Sequence, residues 1–505
     1  VAVTLGPLDL VVVDSLETAL HAHFGWSRFR AGQRPVVEAV LSGRDALAVL
    51  PTGGGKSLCY QLPALIRGGL VVVISPLVAL MEDQVLQLRR RGISAACLHA
   101  GLDPVRRQQA MAALRDESLR LLYLAPERLQ GEATQRLLET HAAEGRLVAL
   151  AVDEAHCISA WGHDFRPDYR RLGLIRRLCP GVPMLALSAT AAPRVRADIL
   201  RLLDLRSPLV QVSSARRENL RYAMQRRPRD PMPQVLEALE QSRGATLIYA
   251  RTRRSVEHWA ERLQGQSVEA TPYHAGLDPA TRQTALTQFL EQERPVLVAT
   301  VAFGMGVDRG DVGLVLHLDL PSTPEGYLQE SGRAGRDGQP ARCLVLFSPG
   351  DRTSLGWAMQ AAAGQGTTAD ERHRLDLAQQ QLRRMEAVAE GEMCREQALL
   401  LAVGELVDPC GRCDRCSASP KRKDWSRQAT TLLTHLDDFD GTDMRRLGEH
   451  LALHETGQGE RWTWLARRLV QEELIRESND GVQRLQLRNS GRRYLERPWP
   501  LDFAA

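Results

Sequence analysis

Short apolar runs alternate with longer amphipathic stretches between Ala46 and Ser348. Apolar runs bounded by Gly, Pro or polar residues are typical of buried strands, and the stretches between them have helical spacing. The strand-like runs are ALAVL, LVVVIS, RLLYLA, VALAVD and MLALSA, followed by TLIYA, VLVAT, LVLHLDL and CLVLFS. This alternation predicts an α/β fold with two stacked parallel-sheet lobes.

The strand rhythm stops near Gly350, where helix-like polar sequence begins. Near the end of the chain, LIRESNDGVQRLQL predicts a tight hairpin, because Asp480-Gly481 stands between alternating apolar residues. The Arg- and Pro-containing stretch from Ser213 to Pro233 is the predicted linker between the lobes. The predicted division is an N-terminal extension (1–14), a first lobe (15–208), a second lobe (209–349), a helical module (350–422) and a short C-terminal domain (423–505).

Composition excludes some classes of protein. No apolar run reaches the roughly 18 residues that a membrane span needs, and the N-terminus lacks the basic start and cleavage site of a secretory signal. We therefore expect a cytoplasmic protein. The net charge of +4 is too small to indicate nucleic acid by itself. Only three of the 65 basic residues are Lys, so an Arg cluster is weak evidence of recognition here, and Lys56 needs a specific explanation.

The segment ALAVLPTGGGKS places a strand directly before a Gly-rich turn and a Lys-Ser pair at a predicted helix start. Glycines let backbone N–H groups close on phosphate oxygens, and a helix N-terminus favours an anion. Lys56 is expected to reach the β- and γ-phosphates and Ser57 to ligate Mg²⁺, although the strict pattern has Gly where Leu50 stands. The predicted nucleotide-binding residues here are Thr52, Gly53, Gly54, Gly55, Lys56 and Ser57.

The run LVALAVDEAH ends a buried-type strand on two acids. Downstream of a phosphate loop, Asp153 is expected to hold Mg²⁺ through water, and Glu154 to orient or deprotonate the attacking water. Acids at a strand end are otherwise often caps or solvent contacts. A phosphoryl transition state gains from a second cation, and QESGRAGRDG offers Arg333 and Arg336 three residues apart. In a second lobe that faces the nucleotide, this pair is the expected arginine finger.

Four of the nine cysteines cluster as Cys394, Cys410, Cys413 and Cys416, with the spacing C-x15-C-x2-C-x2-C. Two-residue spacers let thiolates converge on one tetrahedral ion, and four thiolates match a structural Zn²⁺ site. An iron–sulfur cluster also takes four thiolates, and four unrelated thiols are a third interpretation. The other five cysteines stand mostly beside apolar neighbours, which indicates ordinary core residues.

Nine motifs in sequence order resemble the RecQ family of superfamily 2 DNA helicases, and the resemblance covers most of the chain. They are FGWSRFRAGQ (24–33), PTGGGKSLCYQLPAL (51–65), SPLVALMEDQV (75–85), LLYLAPERL (121–129), DEAHCISAWGHDFRPDY (153–169), LSATA (187–191), YHAGL (273–277), VATVAFGMGVD (298–308) and QESGRAGRDG (329–338). The resemblance is to the bacterial type, in a short form without the helical domain that many relatives append. It implies two RecA-like lobes, zinc in the cysteine cluster and a short winged-helix-like domain.

Three residues near the N-terminus acquire roles from the resemblance. It implies that Trp26 and Arg30 sandwich the adenine of ATP and that Gln33 reads its edge. A ring and a guanidinium stack well on a base, and a side-chain amide both donates and accepts. Taken alone, FGWSRF is more typical of the packed start of a helix.

Aromatic side chains and an arginine closely follow Asp153 and Glu154, which we call the acidic box. We expect Trp161 and Phe165 to sense a base or the DNA backbone and Arg166 a phosphate, and we expect their ordering to position the acids for hydrolysis. The resemblance adds Ser188 and Thr190, which would couple the nucleotide and DNA sites, and a DNA phosphate contact by Thr300. The predicted DNA-binding and coupling residues are Trp161, His163, Phe165, Arg166, Ser188, Thr190 and Thr300.

The C-terminal segment fits a short winged-helix domain. RWTWLARRLVQEELI is its candidate DNA-facing helix, and Asn479-Asp480-Gly481 is its wing tip. The alternative is a compact helix-hairpin that packs on the zinc module. The tip has none of the aromatic or His residues that separate strands in some relatives.

The expected function is ATP-dependent unwinding of duplex DNA in repair, recombination or replication, with 3′ to 5′ polarity implied by the family only. The expected cofactors are ATP, Mg²⁺ and Zn²⁺. The expected partners are single-stranded and branched duplex DNA, with a single-strand-binding protein as a further candidate. We expect no membrane association, and we expect a monomer at the nucleoid. Two alternatives remain, an RNA helicase and a nucleotide-controlled DNA-binding or annealing protein. The zinc cluster with CISAWGHDF favours DNA, and Glu154 with Arg336 favours catalysis.

Overall fold

The apolar runs of the first lobe form a seven-stranded sheet in which all neighbouring strands pair in parallel. The computed structural model describes residues 13–115, 117–162, 164–301, 303, 309–363, 368–418, 422–439, 441–452, 459–478 and 483–504. The strands are β1 (Ala46–Val49), β2 (Leu70–Ile74), β3 (Ala95–Leu98), β4 (Leu121–Leu124), β5 (Leu147–Val152), β6 (Met184–Ser188) and β7 (Leu209–Val212), in the order β3-β4-β2-β5-β6-β1-β7. Every residue of β1, β2, β4 and β6 is buried, as expected for strands covered on both faces.

Helices pack on this sheet and share one apolar core with it. They are α1 (Val13–Phe24), α2 (Gln33–Leu41), α3 (Leu58–Arg67), α4 (Val78–Arg90), α5 (Pro104–Arg115), α6 (Glu132–Ala143), α7 (Gly173–Leu178) and α8 (Pro193–Leu202), with 3₁₀ turns at Pro126–Gln130, Ala155–Ile158 and Pro167–Leu172. Three adjacent strands, β5, β6 and β1, end at the same edge of the sheet. The acidic box, the LSATA segment and the Gly-rich loop follow these ends and are therefore neighbours.

The second lobe has a six-stranded parallel sheet in the order β10-β11-β9-β12-β13-β8. Its strands are β8 (Leu220–Arg226), β9 (Ala245–Tyr249), β10 (Ala270–Tyr273), β11 (Val296–Ala299), β12 (Val312–His317) and β13 (Ala341–Phe347). Its helices are α9 (Met232–Glu240), α10 (Arg253–Gln264), α11 (Pro279–Glu291) and α12 (Pro324–Ser331). The two parallel sheets confirm the predicted fold class.

Two edge strands lie where the sequence predicts a boundary or a linker. β7 pairs with β1, so the first sheet continues to Val212, beyond the boundary expected at residue 208. β8 lies inside the stretch 213–233 and pairs with β13 at the edge of the second sheet. Its buried residues alternate with more exposed ones, because only one face of this edge strand contributes to the core. The connection between the two sheets is therefore residues 213–219, which is shorter than the predicted linker of residues 213–233.

The module after the second lobe is helical, with α13 (Pro349–Ala363), α14 (Ala369–Glu390), α15 (Arg395–Ala402) and α16 (Asp414–Ser417). Its apolar residues, Leu382 and Leu399 among them, join the core of the second lobe. The module and that lobe therefore form one packed unit. Within the described ranges, no helix combines the length and the apolar character needed to cross a membrane.

The C-terminal domain has its own apolar core. It contains β14 (Arg422–Asp424), α17 (Ser426–Asp438), β15 (Thr442–Asp443), α18 (Met444–Ala452), α19 (Gly459–Gln471), β16 (Ile475–Glu477), β17 (Arg484–Leu487), α20 (Asn489–Glu496) and β18 (Asp502–Ala504). β16 and β17 pair antiparallel, which confirms the predicted hairpin, and β14 pairs antiparallel with β18. The predicted wing tip, Asn479-Asp480-Gly481, lies outside the described residues.

Candidate functional site

The loop between β1 and α3 has the geometry of a phosphate-binding turn. Gly53 and Gly55 have φ of +78° and +74°, a left-handed conformation that favours glycine. The Gly54 N–H donates to the Pro51 carbonyl at 2.8 Å, which closes the turn just before α3. Lys56 lines the adjoining cleft with Ser57. Backbone donors at a helix N-terminus together with a lysine fit the phosphates of a nucleotide.

Asp153 and Glu154 directly follow β5, and both are buried. The Tyr169 hydroxyl donates to the Asp153 carbonyl at 3.0 Å and anchors the backbone here. Burial and then repulsion from Glu154 raise the pKa of Asp153 to about 7, while Lys56 opposes the rise. A buried acid pair is stabilised by a cation, so this site fits Mg²⁺ held by Asp153 and Ser57.

A chain of polar contacts connects the acidic box to β6. Glu154, in a left-handed conformation with φ of 46°, has a carboxylate oxygen 3.3 Å from His156 Nδ1. His156 Nδ1 lies 3.0 Å from Ser188 Oγ, and the Ser188 hydroxyl donates to the Thr190 carbonyl at 2.7 Å. Because that hydroxyl hydrogen is used on Thr190, Ser188 accepts from His156. The structure thus joins Glu154 to the predicted coupling pair through His156, for which the sequence predicts no role.

The arginines expected from the second lobe lie at the end of α12, opposite the phosphate loop. A Cβ atom placed on Gly53 would lie 3.4 Å from Arg336 Cγ. A Cβ atom on Gly332 would lie 3.0 Å from Thr52 Cβ. The two lobes therefore meet at the phosphate loop, and Arg336 is the second-lobe side chain against it.

A cleft of about 740 Å³ separates the lobes at this point. Its volume lies in the roughly 300–1,000 Å³ range of small-molecule sites. Asp153 and Glu154 line it from the first lobe, and Arg333 lines it from the second with Arg336. The buried Arg333 also hydrogen-bonds the Tyr249 hydroxyl. The cleft thus brings together all the residues predicted for catalysis.

Trp26 stands at one end of this cleft with 44% of its surface exposed. Its ring stacks on Phe24, with centroids 5.4 Å apart and planes inclined by 16°. The Arg91 guanidinium lies 5.9 Å from the Trp26 ring centroid and was not predicted from the sequence. An exposed, oriented indole in a nucleotide-sized cleft fits a stacking role for Trp26.

Arg30 and Gln33 contact the phosphate loop. The Gln33 side-chain amide donates to the Gly54 and Gly55 carbonyls at 3.1 and 2.9 Å, and its oxygen accepts from the Arg30 N–H at 2.7 Å. The Arg30 guanidinium hydrogen-bonds the Gly53 carbonyl. These bonds are additional to the base contacts that the resemblance implies, and they connect the predicted base-binding side chains to the phosphate-binding loop.

Trp161 is already packed against a cation. The Arg194 guanidinium carbon lies 3.2 Å from the centroid of its ring. His373 of α14 meets the same indole edge-on, with centroids 6.0 Å apart. The ring that the sequence predicts as a DNA sensor therefore lies between α8 of the first lobe and α14 of the helical module.

Phe165 and Arg166, in the rest of the same loop, also contact charged side chains. The Arg374 guanidinium of α14 lies 5.6 Å from the Phe165 ring centroid. Arg166 pairs with Asp164 at 3.0 Å. His163 lies outside the described residues. The loop thus contacts the helical module through both of its described rings.

Thr300, the predicted phosphate contact, follows β11. Its N–H donates to the Tyr273 carbonyl at 3.3 Å, and its carbonyl accepts from the Phe303 N–H at 2.8 Å. Residues 302 and 304–308 of the same motif lie outside the described part of the chain. Thr300 is therefore placed at the end of a second-lobe strand, apart from the first-lobe loop.

The four clustered cysteines converge. Their Sγ atoms all lie within 4.8 Å of one another, with 3.9 Å between Cys394 and Cys413 and 4.0 Å between Cys410 and Cys416. The backbone N–H groups of Cys410 and Cys413 donate to the sulfurs of Cys394 and Cys410 at 3.2 and 3.3 Å. Tetrahedral zinc with Zn–S distances of about 2.3 Å fits this arrangement.

The expectation that α19 faces DNA is wrong for two of its arginines. Arg467 pairs with Glu390 at 3.2 Å, and Arg468 pairs with Glu392. The two arginine side chains are 11% and 7% exposed. The alternative, packing on the zinc module, describes these contacts. A cationic helix has the same composition whether it faces phosphates or buried carboxylates, so the sequence could not distinguish the two.

Three family models match consecutive parts of the chain. They are DEAD/DEAH box helicase over residues 30–199, helicase conserved C-terminal domain over 230–338, and RecQ zinc-binding over 349–417. The chain is 39% identical over 450 residues to the ATP-dependent DNA helicase RecQ of Pasteurella multocida (strain Pm70), covering 89% of this chain and 67% of that relative. It is 39% identical over 409 residues to the RecQ of Haemophilus influenzae (strain ATCC 51907 / DSM 11121 / KW20 / Rd), covering 81% and 64%.

The chain thus spans about two thirds of the length of these curated relatives. Among solved structures, it is similar to Mycobacterium smegmatis helicase Lhr bound to ssDNA and AMP-PNP, with a TM-score of 0.55 and 17% identity over 95% of this chain and 61% of that one. At this identity the likeness concerns the fold alone.

Proposed function

The chain belongs to the RecQ family of ATP-dependent DNA helicases, and on this premise we propose that it couples ATP hydrolysis to 3′ to 5′ movement along single-stranded DNA and so unwinds duplex DNA. The observation that carries the proposal is the nearness of Arg336 to Gly53 across the cleft. A nucleotide bound there touches both lobes, so its hydrolysis changes how they close. Repair, recombination and replication are the processes that need such unwinding.

In this proposal the phosphate loop and Lys56 hold the triphosphate of ATP. Ser57 and Asp153 would hold Mg²⁺, which would supply positive charge against the phosphates of ATP. Glu154 orients and deprotonates the attacking water, and one oxygen of its buried carboxylate lies 3.3 Å from His156 Nδ1. A carboxylate held between a phosphate loop and a histidine fits the role of general base.

Arg333 and Arg336 supply the cations for the transition state. An arginine finger contributes roughly 10³ to 10⁵ in rate, and it acts only when the second lobe is in place. The nearness of Arg336 to the phosphate loop supports this role. Hydrolysis therefore depends on closure of the lobes, which is the physical basis of a ratchet along DNA.

At the other end of the cleft, Trp26 and Arg30 hold the adenine, and Gln33 reads its edge. The exposure of Trp26 supports the stacking role. The bonds from Gln33 to the phosphate loop add a consequence. A base that draws the Gln33 amide toward itself frees loop carbonyls, so base recognition is communicated to the phosphate site.

DNA acts on the same site through the loop that carries Trp161 and Phe165, which we call the aromatic loop. Trp161 already stacks on Arg194, so a base competes for the indole and a phosphate for the guanidinium. Stacking of a base contributes about 1–3 kcal/mol, enough to move a loop between two positions. The remaining proposed DNA-side residues are His163, Phe165, Arg166, Ser188, Thr190 and Thr300.

The cysteine cluster binds structural Zn²⁺ in the RecQ zinc-binding region. Binding of zinc contributes on the order of 10 kcal/mol to the folding of such modules.

The proposed domains are two lobes, a zinc module and a C-terminal domain. The core that the second lobe shares with the zinc module supports the junction between these two domains. The proposed substrates are single-stranded and branched DNA, and a single-strand-binding protein is a further proposed partner. We propose that the protein works as a monomer in the cytoplasm, at the nucleoid.

The test is unwinding of duplexes with a 3′ or a 5′ single-stranded tail, beside ATP hydrolysis stimulated by oligo-dT or oligo-U. Unwinding of the 3′-tailed duplex and stimulation by oligo-dT are expected, and Glu154→Gln should abolish both activities while ATP still binds. Stimulation by oligo-U alone would indicate an RNA helicase. ATP-dependent annealing with no unwinding of either duplex would indicate the nucleotide-controlled binding protein.

A further inference from the structure

The connection between the two lobes, residues 213–219, is held by the zinc module. The Ala215 N–H donates to Glu405 at 2.9 Å, and the Ser214 hydroxyl hydrogen-bonds the same carboxylate. Arg216 Nε donates to Glu396 at 2.8 Å. Glu396 is 2% exposed, so this is a buried contact in which the acid needs its cations. The connection is therefore fixed to α15 and the turn after it.

Arg217 in this connection binds the turn that carries the arginine finger. Its guanidinium donates to three carbonyls of this turn, those of Gly332 at 3.4 Å, Ala334 at 3.2 Å and Gly335 at 2.7 Å. These carbonyls follow the last turn of α12, where helix C-terminal carbonyls favour a cation. Arg333 and Arg336 alternate with the bonded residues along the chain. Arg217 thus binds the backbone on both sides of Arg333 and just before Arg336.

Arg412 connects Arg217 to the zinc ligands. It lies between Cys410 and Cys413 in the cysteine cluster. Its guanidinium donates to the Arg217 carbonyl and to the Leu220 carbonyl, both at 3.1 Å, and pairs with Glu396. Because both flanking cysteines are ligands, zinc fixes the backbone from which this side chain extends.

From this geometry we propose that Arg217 is a positioning residue for the arginine finger and that Arg412 transmits to it the order imposed by zinc. The inference rests on the proposed function, because it presumes that Arg333 and Arg336 stabilise the transition state. The zinc module then acts on ATP turnover as well as on folding. Loss of either arginine leaves the nucleotide-binding side chains of the first lobe in place and displaces the finger.

The test compares Arg217→Gln and Arg412→Gln with Arg221→Gln, an exposed arginine of β8. For Arg217→Gln, kcat of ATP hydrolysis at saturating DNA should fall by between about 10- and 100-fold, since a misplacement near 1 Å costs on the order of 10²-fold. The dissociation constant of a fluorescent ATP analogue should not change, because the finger acts in the transition state. Arg412→Gln should lose less kcat and keep its full zinc content, with a lower melting temperature because the buried Glu396 keeps only Arg216 as its cation.

The double variant tests the connection between the two arginines. If Arg412 acts through Arg217, Arg412→Gln has no further effect once Arg217 is Gln. Independent losses that multiply would overturn the link to zinc. A kcat of Arg217→Gln equal to that of Arg221→Gln would overturn the positioning role, and so would a nucleotide affinity that falls as far as kcat. An Arg336→Ala variant that retains full kcat would instead refute the arginine finger of the proposed function.

Discussion

Asp153→Asn is expected to stabilise the protein while abolishing its ATP hydrolysis. The pKa of Asp153 rises from 3.8 to about 7, because of burial and then repulsion from Glu154. A folded-state pKa above the unfolded value gives stability that is full below the unfolded pKa and is lost as pH rises through about 7. The ionised acid therefore costs on the order of 4 kcal/mol above that pH. Asn keeps an oxygen that accepts the Glu154 N–H, a 3.0 Å bond in the wild type.

The assay is thermal melting in magnesium-free buffer at pH 8 and pH 5.5. One kcal/mol shifts the melting temperature of a domain of this size by about 2–4 °C. Asp153→Asn should raise the melting temperature by several degrees at pH 8 and by less at pH 5.5, where most of the folded wild-type acid is already protonated. Adding Mg²⁺ should stabilise the wild type and leave the variant unchanged.

Asp45→Asn is the matched control in the same lobe. Asp45 pairs with the buried Arg176 and accepts the N–H groups of Met184 and Arg206 at 2.8 and 2.7 Å. Neutralising it leaves a buried guanidinium without its counterion, which costs about 3–5 kcal/mol. The two substitutions are identical in chemistry and opposite in expected sign. A lower melting temperature for Asp153→Asn, or an equal rise at both pH values, would refute the reasoning.

Three further predictions concern other parts of the chain. Cys413→Ser should give poorly soluble protein with less bound metal, and full zinc content by atomic absorption with normal solubility would contradict it. Trp161→Ala should lose the stimulation of ATP hydrolysis by single-stranded DNA while keeping its DNA-free rate, so an unchanged stimulation would exclude coupling through this ring. Arg352→Met should destabilise the junction with the C-terminal domain by about 3–5 kcal/mol, because the buried Glu477 would lose the cation it pairs with and Glu386 would keep only Arg467. Limited proteolysis should then release that domain, and wild-type resistance would show that the junction does not depend on Arg352.

The nucleotide site was predictable because each of its parts is local. A strand end, a glycine turn and a helix start fix the phosphate loop, and β5 ends on Asp153 and Glu154. The parallel order β5-β6-β1 then brings these parts to one edge of the sheet. Such sites depend on short-range patterns, and the α/β rhythm that brings them together is itself visible in the sequence.

The contacts of arginines were not predictable, because Arg is the common cation throughout this chain. The arginines and prolines of residues 213–233 predict a linker, although β8 lies there. The segment RWTWLARRLVQEELI predicts a DNA-facing helix, although its Arg467 and Arg468 pair with carboxylates. The positions alone do not say whether a guanidinium meets a phosphate, a carbonyl or a buried carboxylate. Arg217, which binds three carbonyls, shows how much of the site's support lies outside its motifs.

The aromatic loop shows what the structure adds to a motif. The sequence indicates rings available to DNA, whereas Trp161 is stacked on Arg194 and contacts His373, and Phe165 lies beside Arg374. A cation–π contact contributes about 0.5–2 kcal/mol, and stacking of a base about 1–3 kcal/mol. Because these energies are similar, DNA that binds as proposed would replace the cations at little net cost and with little net gain. The loop would then add little DNA affinity but would move readily, and the side chains displaced from its rings belong to α8 and to α14 of the zinc module. In the proposed coupling, DNA contact at this one loop would therefore change contacts in the first lobe and in the zinc module at once.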